Sequence, residues 1–486
     1  MRAEPLRQLF RVRALRASRF LLGSPSFELP SGIALGALIF VVTELIAVAI
    51  AVTVDPFLGL GIVVAPAFAA LCFLSMPAAW LLVLAAVPFS HELYMRPIGA
   101  ALWLPTEPMI FLFLLIWGFR SLLRGDHRIP RSSILTWTGL LGLTAVLSAI
   151  QSQYPILSIK AVLSVSWYVI FAFLFPYLNG RDGVLIRRGI YLLAATALLF
   201  SVYGLVFITR NGLARVTANL MGWPFFREHG TYSAYVSFGL AALLALGLTA
   251  RETAKRAGGL VAASAVALAV LLSLARAAYL GLVGVFGIIA WHTVSARRAT
   301  TVLGLVVVMG AAWFGLHRFQ AGEFVGVYTQ TIAQPGELSN LERISRWLAA
   351  YNMLQARPVL GVGYGAYPDS YFSYRVLTLK TGEEFKRMGV HSEYFKVLAE
   401  MGWLGGIALA GFLIAVFVSG GRAIRHARSQ AERGLALAAL AGLASYLVHG
   451  FFNNYSGTDK LGIPFWFSIA AIAVFHARAR KPVDAA

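Results

Sequence analysis

Cysteine is almost absent: Cys72 is the single one in 486 residues. A lone thiol excludes an internal disulfide, a zinc ribbon and an iron–sulfur cluster, and its place in an apolar run reads as a small packing residue. Charge is scarce too. Asp, Glu, Lys and Arg make up 13% of the chain, against roughly 25% in a soluble domain. Acidic residues are the rarer sign, 21 against 41 Lys and Arg. There is no GxxxxGK[ST] loop, so ATP is not implied, and no HExxH zinc motif. What is abundant is apolar: 59% of the residues are hydrophobic. That excludes intrinsic disorder and points to a polytopic membrane protein rather than a soluble enzyme.

Apolar runs of about the length that crosses a bilayer, ~20 residues, occur at 32–54, 57–75, 77–90, 107–119, 133–150, 158–178, 189–209, 231–249, 258–273, 277–293, 300–316, 402–419, 434–450 and 462–476. Those at 77–90 and 107–119 are short. The expected fold is all-α, with about 12–14 transmembrane helices. Placing the N-terminus inside and alternating puts 1–31, 120–132, 179–188, 250–257, 294–299, 420–433 and 477–486 on one face. Those segments hold 25 of the 41 Lys and Arg, as the positive-inside rule requires of cytoplasmic loops. The net charge of +20 is therefore mostly a topogenic signal, and nucleic acid is not an expected partner. The basic arm at the N-terminus suits an anionic inner leaflet and does not read as a cleavable signal peptide.

One segment interrupts the alternation. Residues 317–401 make a large outer, periplasmic loop, long enough to be functional. Within it, 342–356 places Ile344, Trp347, Leu348, Tyr351 and Leu354 at helical spacing, ending at Arg357-Pro358. The run 391–401 reads as a second amphipathic helix, closed by Gly402. The expected organisation is a cytoplasmic arm 1–31, a bundle 32–316, the loop or lid 317–401, C-terminal helices 402–476 and a cytoplasmic tail 477–486.

Sixteen basic residues remain on the outer face or within spans: Arg96, Lys160, Arg210, Arg215, Arg227, Arg276, Arg318, Arg343, Arg346, Arg357, Arg375, Lys380, Lys386, Arg387, Lys396 and Lys460. Span ends explain some by snorkelling. Arg276 sits in SLARAAYLG, between two apolar spans, where a guanidinium at mid-membrane would cost roughly 2.5–3.5 kcal/mol and marks a functional site by default. Arg343 and Arg346 flank Trp347's turn of helix, and Arg215 lies in the outer loop 210–230. Converging guanidiniums suit a diphosphate, which accepts their bidentate hydrogen bonds. Pairing with Glu228, Glu342 or lipid headgroups is the competing explanation. His391 stands in a polar outer segment, and its ordinary pKa of about 6.5 suits a general base; a solvated loop histidine is the plainer reading. Glu44, inside the first span, and His449, Asn453, Asn454, Asp459 and Lys460, near the outer end of a later one, are further polar residues that could line a cavity. No Asp-x-Asp pair appears in an outer loop, which speaks against a glycosyltransferase of the metal-dependent type.

Arg343-Ile-Ser-Arg-Trp347 followed by Arg357-Pro-Val-Leu-Gly361-Val-Gly363-Tyr-Gly365 resembles the R-x-x-x-W … P-x-x-G-x-G segment of the bacterial O-antigen ligase and O-antigen polymerase superfamily. His391-Ser-Glu-Tyr-Phe … Glu400-Met-Gly402-Trp-Leu-Gly405 resembles its H-N-x-x-L … E-x-G-x-x-G segment, and Leu274-Ala-Arg276-Ala its S-R-G turn. The chain departs from the pattern in two places: Ser392 stands where the pattern has Asn, and the turn reads Ala275-Arg276-Ala277 where the pattern has Ser-Arg-Gly. The resemblance implies an inner-membrane glycosyltransferase that moves a glycan from undecaprenyl diphosphate at the periplasmic face, with no metal, nucleotide sugar or other cofactor. It implies His391 as base or acceptor-orienting residue, Arg276 and Arg343 on the diphosphate, and Arg215 as a looser match. Acceptors would be another glycan, for a polymerase, or lipid A–core, for a ligase; other polysaccharide assembly and export proteins are possible partners. The acidic residues Glu383, Glu384 and Glu393 favour the polymerase. A lipid-glycan transporter or flippase is the rival from another class. Transporters set ionisable groups near the midplane and show internal repeats, and of these features only Glu44 is present.

Overall fold

The computed structural model describes residues 56–95, 100–124, 129–293, 338–376 and 389–480, together with positions 42 and 46. The arm 1–31, Glu44, Arg96, the run 300–316, Arg318, Lys380, Glu383, Glu384, Lys386 and Arg387 lie outside the described residues. Two compact units divide at Ala67. Of the first, the described part is chiefly the start of helix α1 (Pro56–Leu74).

The second unit continues with α2 (Met76–Ala86), a β-hairpin of β1 (His91–Met95) and β2 (Ala100–Leu104), α3 (Thr106–Arg124), α4 (Ser133–Ile150) and α5 (Pro155–Tyr168). From α5 a six-residue π-helical stretch leads into α6 (Phe175–Asn179). Then come α7 (Val184–Asn211), the short α8 (Arg215–Asn219), α9 (His229–Thr249), α10 (Thr253–Leu272), α11 (Arg276–Thr293), α12 (Leu338–Ala356), α13 (Tyr367–Tyr374), α14 (Glu393–Arg425), α15 (Gln430–His449) and α16 (Asp459–Arg480). Among the described residues nine helices are long and apolar enough to cross a membrane. The hairpin, antiparallel with His91 opposite Leu104 and Met95 opposite Ala100, was not foreseen.

Burial separates the helices into a core and a ring. The apolar stretches of α9, α15 and α16 are 78%, 72% and 89% buried, as expected of helices apolar on every side. Those of α3, α4 and α10 are only 22–28% buried, so their outward Leu, Ile and Val meet the hydrocarbon, where no hydrophobic penalty applies. Small residues let the inner helices approach closely: a Cβ on Gly239 of α9 would fall 2.1 Å from the Ala197 side chain of α7. The π-helical stretch leaves the Phe171 carbonyl to accept the indole N–H of Trp80 at 2.9 Å.

The two runs at 342–356 and 391–401 are helical as expected, with two corrections. The buried face of α12 is Ser345, Arg346, Ala349, Ala350, Met353 and Leu354; of the stripe expected from hydropathy Leu354 is buried and Trp347 half-buried against the same cluster, while the rest is out of phase. Small side chains allow the close contact with α14, and Ile344, Leu348 and Tyr351 are left exposed. In the second run, Ser392 and not His391 opens the helix. Its hydroxyl caps the N-terminus by accepting from Phe395 N–H, so the departure from Asn is a competent cap. As expected, that helix breaks at Gly402, whose φ of 63° interrupts α14.

Candidate active site

The candidate site residues meet at one end of the bundle. The starts of α9, α11, α14 and α16 gather there with the end of α15. Arg276 is the first residue of α11, half-buried at the turn from α10 rather than at mid-membrane. The positive φ of that turn falls on Leu274 (53°), so Ala277 is already helical and needs no glycine. Arg215 begins α8 and is exposed. His229, which sequence reasoning did not single out, begins α9. Its ring hydrogen-bonds the Ser273 backbone beside the Arg276 turn and lies within electrostatic reach of both Arg215 and Arg276.

His449, the last residue of α15, is 1% exposed and in turn lies within electrostatic reach of His229. Its Nδ1 is 3.4 Å from Asn453 Nδ2, and its ring is 5.2 Å from that of Tyr455. Arg343 lies near Tyr455 and, with Arg346, near His391. Arg215, Arg276, Arg343, Arg346, His391, His449 and Asn453 are thus linked into one neighbourhood, and only Glu44 falls outside the description.

Several buried polar atoms here have no hydrogen-bond partner: His229 Nδ1, His449 Nε2, Trp347 Nε1, Asn454 Nδ2 and Tyr455 OH. Buried polar atoms are normally paired, and five orphans around one loop leave positions for a polar ligand to fill. Burial pushes the Tyr455 phenol well above its usual range, so its O–H remains a donor.

His391 sits in the left-handed region, φ 53°, just before the cap of α14. Burial, then the charges of Arg346 and Arg343, lower its pKa to about 4. It is therefore neutral at pH 7, with a lone pair to accept a proton, but a weaker base than the ordinary value suggested. The segment is anchored by the residue after it and by Glu393. Ser392 N–H donates to Asn454 Oδ1 at 3.1 Å. The Glu393 carboxylate accepts from Ser456 N–H at 2.7 Å and Ser456 Oγ at 2.9 Å, and Glu393 N–H donates to Gly450 O at 2.8 Å. Glu393 is thus a structural tie and supplies no free carboxylate for an acceptor.

The two glycine-rich motifs are one structure. Val362 and Gly363 N–H donate to the carbonyls of Ala399 and Glu400 at 2.9 and 3.1 Å, while Trp403 N–H donates to Pro358 O at 2.8 Å. A Cβ at Gly402 would stand 2.4 Å from Val359 O. Tyr367 N–H donates to the buried Glu400 carboxylate, and Tyr367 OH to Arg346 O at 2.7 Å, tying this loop back to the arginine helix.

Polar ties also hold the hairpin at this end. Arg227 pairs with Glu92 at 2.6 Å. Lys460, with Asp459 buried at the start of α16, donates to Pro88 O and Ser90 O at 3.1 and 2.7 Å. These two are scaffold. An apolar cavity of about 370 Å³ lies between α4, α5, α14 and α16, with Tyr364, Glu393 and Ser456 in its wall.

Residues 261–410 match the family model described as O-antigen ligase. The match supports a relationship of this chain to the O-antigen ligase and polymerase superfamily. The matched segment contains Arg276, Arg343, Arg346 and His391; Arg215, His229, His449 and Asn453 come from outside it. No curated protein matches the chain.

Proposed function

We propose that the protein is a periplasm-facing, inner-membrane glycosyltransferase that transfers a glycan from undecaprenyl diphosphate to a sugar hydroxyl. The observation that supports this most directly is the gathering of four arginines from three separate elements, Arg343 and Arg346 by His391 and Arg215 and Arg276 by His229, around a set of unpaired polar atoms. The guanidiniums suit the diphosphate. The ring nitrogens, indole and phenol suit the hydroxyls of a sugar. The apolar cavity between α4 and α14 suits part of the isoprenoid chain.

In this reading His391 accepts the proton of the acceptor hydroxyl. The oxygen attacks the anomeric carbon, the bond to the diphosphate breaks, and the electron pair leaves with undecaprenyl diphosphate. Arg276 and Arg343 stabilise that departing charge, with Arg215 and Arg346 beside them. One in-line displacement inverts the anomeric centre. An arriving anion also offsets Arg346 and Arg343, so the donor's own charge raises the basicity of His391. The lid is α12 and α13, whose outward Ile344, Leu348 and Phe372 rest on the membrane surface.

The test is to incubate purified protein with one undecaprenyl diphosphate-linked repeat unit, first alone and then with lipid A–core, without metal or ATP. A ladder of lipid-linked chains identifies a polymerase, and transfer only to lipid A–core a ligase. Unchanged substrate in both arms overturns the assignment.

A further inference from the structure

The opposite end of the bundle holds a second polar cavity that the reaction does not use. It has a volume of about 350 Å³ and lies between the end of α9, the start of α10, the end of α11 and the start of α15. Arg251, Arg256 and Arg433 line it together with Thr249, Thr293 and Gln430. Among the described residues no carboxylate pairs with any of the three arginines. Glu252, next in sequence, is bound to Lys255 at 2.7 Å, and Glu432 is bound to Arg478 at 2.6 Å. Arg433 donates through Nη2 to His292 O at 2.7 Å, while its buried Nε has no partner.

Three uncompensated guanidiniums around one cavity call for an anion. The cavity's position says which kind. Every element that lines it is a terminus of an apolar helix, so it opens at the height where the chain leaves the hydrocarbon and lipid phosphates lie. Leu248 and Ala250 add an apolar edge to the lining, which a free phosphate would not use.

We propose that this pocket binds the phosphate of an anionic phospholipid headgroup. The bound lipid ties together α9, α11 and α15, the helices whose far ends carry His229, Arg276 and His449. The inference concerns lipid occupancy and does not depend on the catalytic reading.

Delipidated full-length protein in detergent is titrated with phosphatidylglycerol, phosphatidylcholine or inorganic phosphate, and followed by native mass spectrometry and thermal unfolding. Phosphatidylglycerol should be retained and raise the melting temperature, and phosphatidylcholine should do neither. Arg251 and Arg256 are exposed, so Arg251→Gln/Arg256→Gln should fold normally and bind phosphatidylglycerol about tenfold or more weakly, given the usual contribution of each basic residue at a lipid surface. Lys255→Gln, outside the cavity, should change nothing. Equal retention of the two lipids, or full binding by the double variant, overturns the proposal. Stabilisation by inorganic phosphate that competes with the lipid would make this a free-anion site and overturn the lipid assignment.

Discussion

His391 lies within reach of two guanidiniums and ahead of a capped helix, so its behaviour is set by its neighbours as much as by its own ring. A histidine with a depressed pKa stays neutral until the pH falls to about 4. The acid limb of kcat/KM, which reports the free enzyme, should therefore lie well below the ordinary histidine value of about 6.5. Removing a repelling charge must raise that pKa, so Arg346→Gln should move the limb upward; a pH profile in which it stays put would show that the charge does not act on this ring. The limb of kcat, measured with donor bound, should lie above that of kcat/KM. Stability follows the same sign: the contribution is present above about 6.5 and lost as the pH falls towards 4, because the unfolded chain takes the proton first. His391→Ala should lower kcat about 10²–10⁴-fold with unchanged yield of folded protein, and near-normal turnover would end its role as base. Arg276→Lys should be inactive, because an ammonium does not reproduce the guanidinium fork; an active Lys variant in the same transfer assay would contradict bidentate binding. In the sequence the arginines were candidates by type and position, and His391 by its resemblance to the family's histidine segment. The sequence could not show His229, a single histidine at the start of an apolar run, nor that Glu393 is consumed by a loop some sixty residues away.

At the scale of elements, the glycines are what join the two motifs. Gly402 turns the chain between the two halves of α14 at a φ that side chains disfavour, with the Val359 carbonyl where a Cβ would be. Gly402→Ala should destabilise the protein by roughly 1–3 kcal/mol, read as a lower melting temperature, whereas Gly258→Ala in α10, with open space around it, should be neutral or mildly stabilising. The break at Gly402 and most of the apolar helices were legible because hydropathy and glycine placement report on backbone directly. The phase of α12 was not. Its bulky residues marked an apolar stripe, of which Leu354 is buried, but close packing on α14 selects mainly small ones, and a membrane protein can leave Ile344, Leu348 and Tyr351 facing lipid. The hairpin escaped because its ties to Lys460 and Arg227 are made by residues distant in sequence.

Across the whole molecule the two ends of the bundle have different chemistry. One gathers the orphaned ring nitrogens and Arg215, Arg276, Arg343 and Arg346. At the other, arginines hold backbone carbonyls: Arg120 on Cys72 and Phe73 at 2.9 and 2.8 Å, Arg478 on Arg181 at 3.1 Å, Arg428 on Arg478 at 3.0 Å. This polarity was readable from the sequence because positive loops alternate with neutral ones. It predicts sidedness that labelling can test. Cys72 is buried and gives little background, so Gly457→Cys should react with a membrane-impermeant maleimide added to spheroplasts, and His426→Cys only after lysis. The reverse pattern would place the site in the cytoplasm. The buried helix α9 joins these two ends as a single uninterrupted rod of 21 residues, about 31 Å at 1.5 Å per residue. That is close to the thickness of the bilayer's hydrocarbon. A thinner or thicker membrane would have to tilt this rod or deform around it, so the spacing of the arginines gathered at one end becomes a function of the lipid tails that surround the protein.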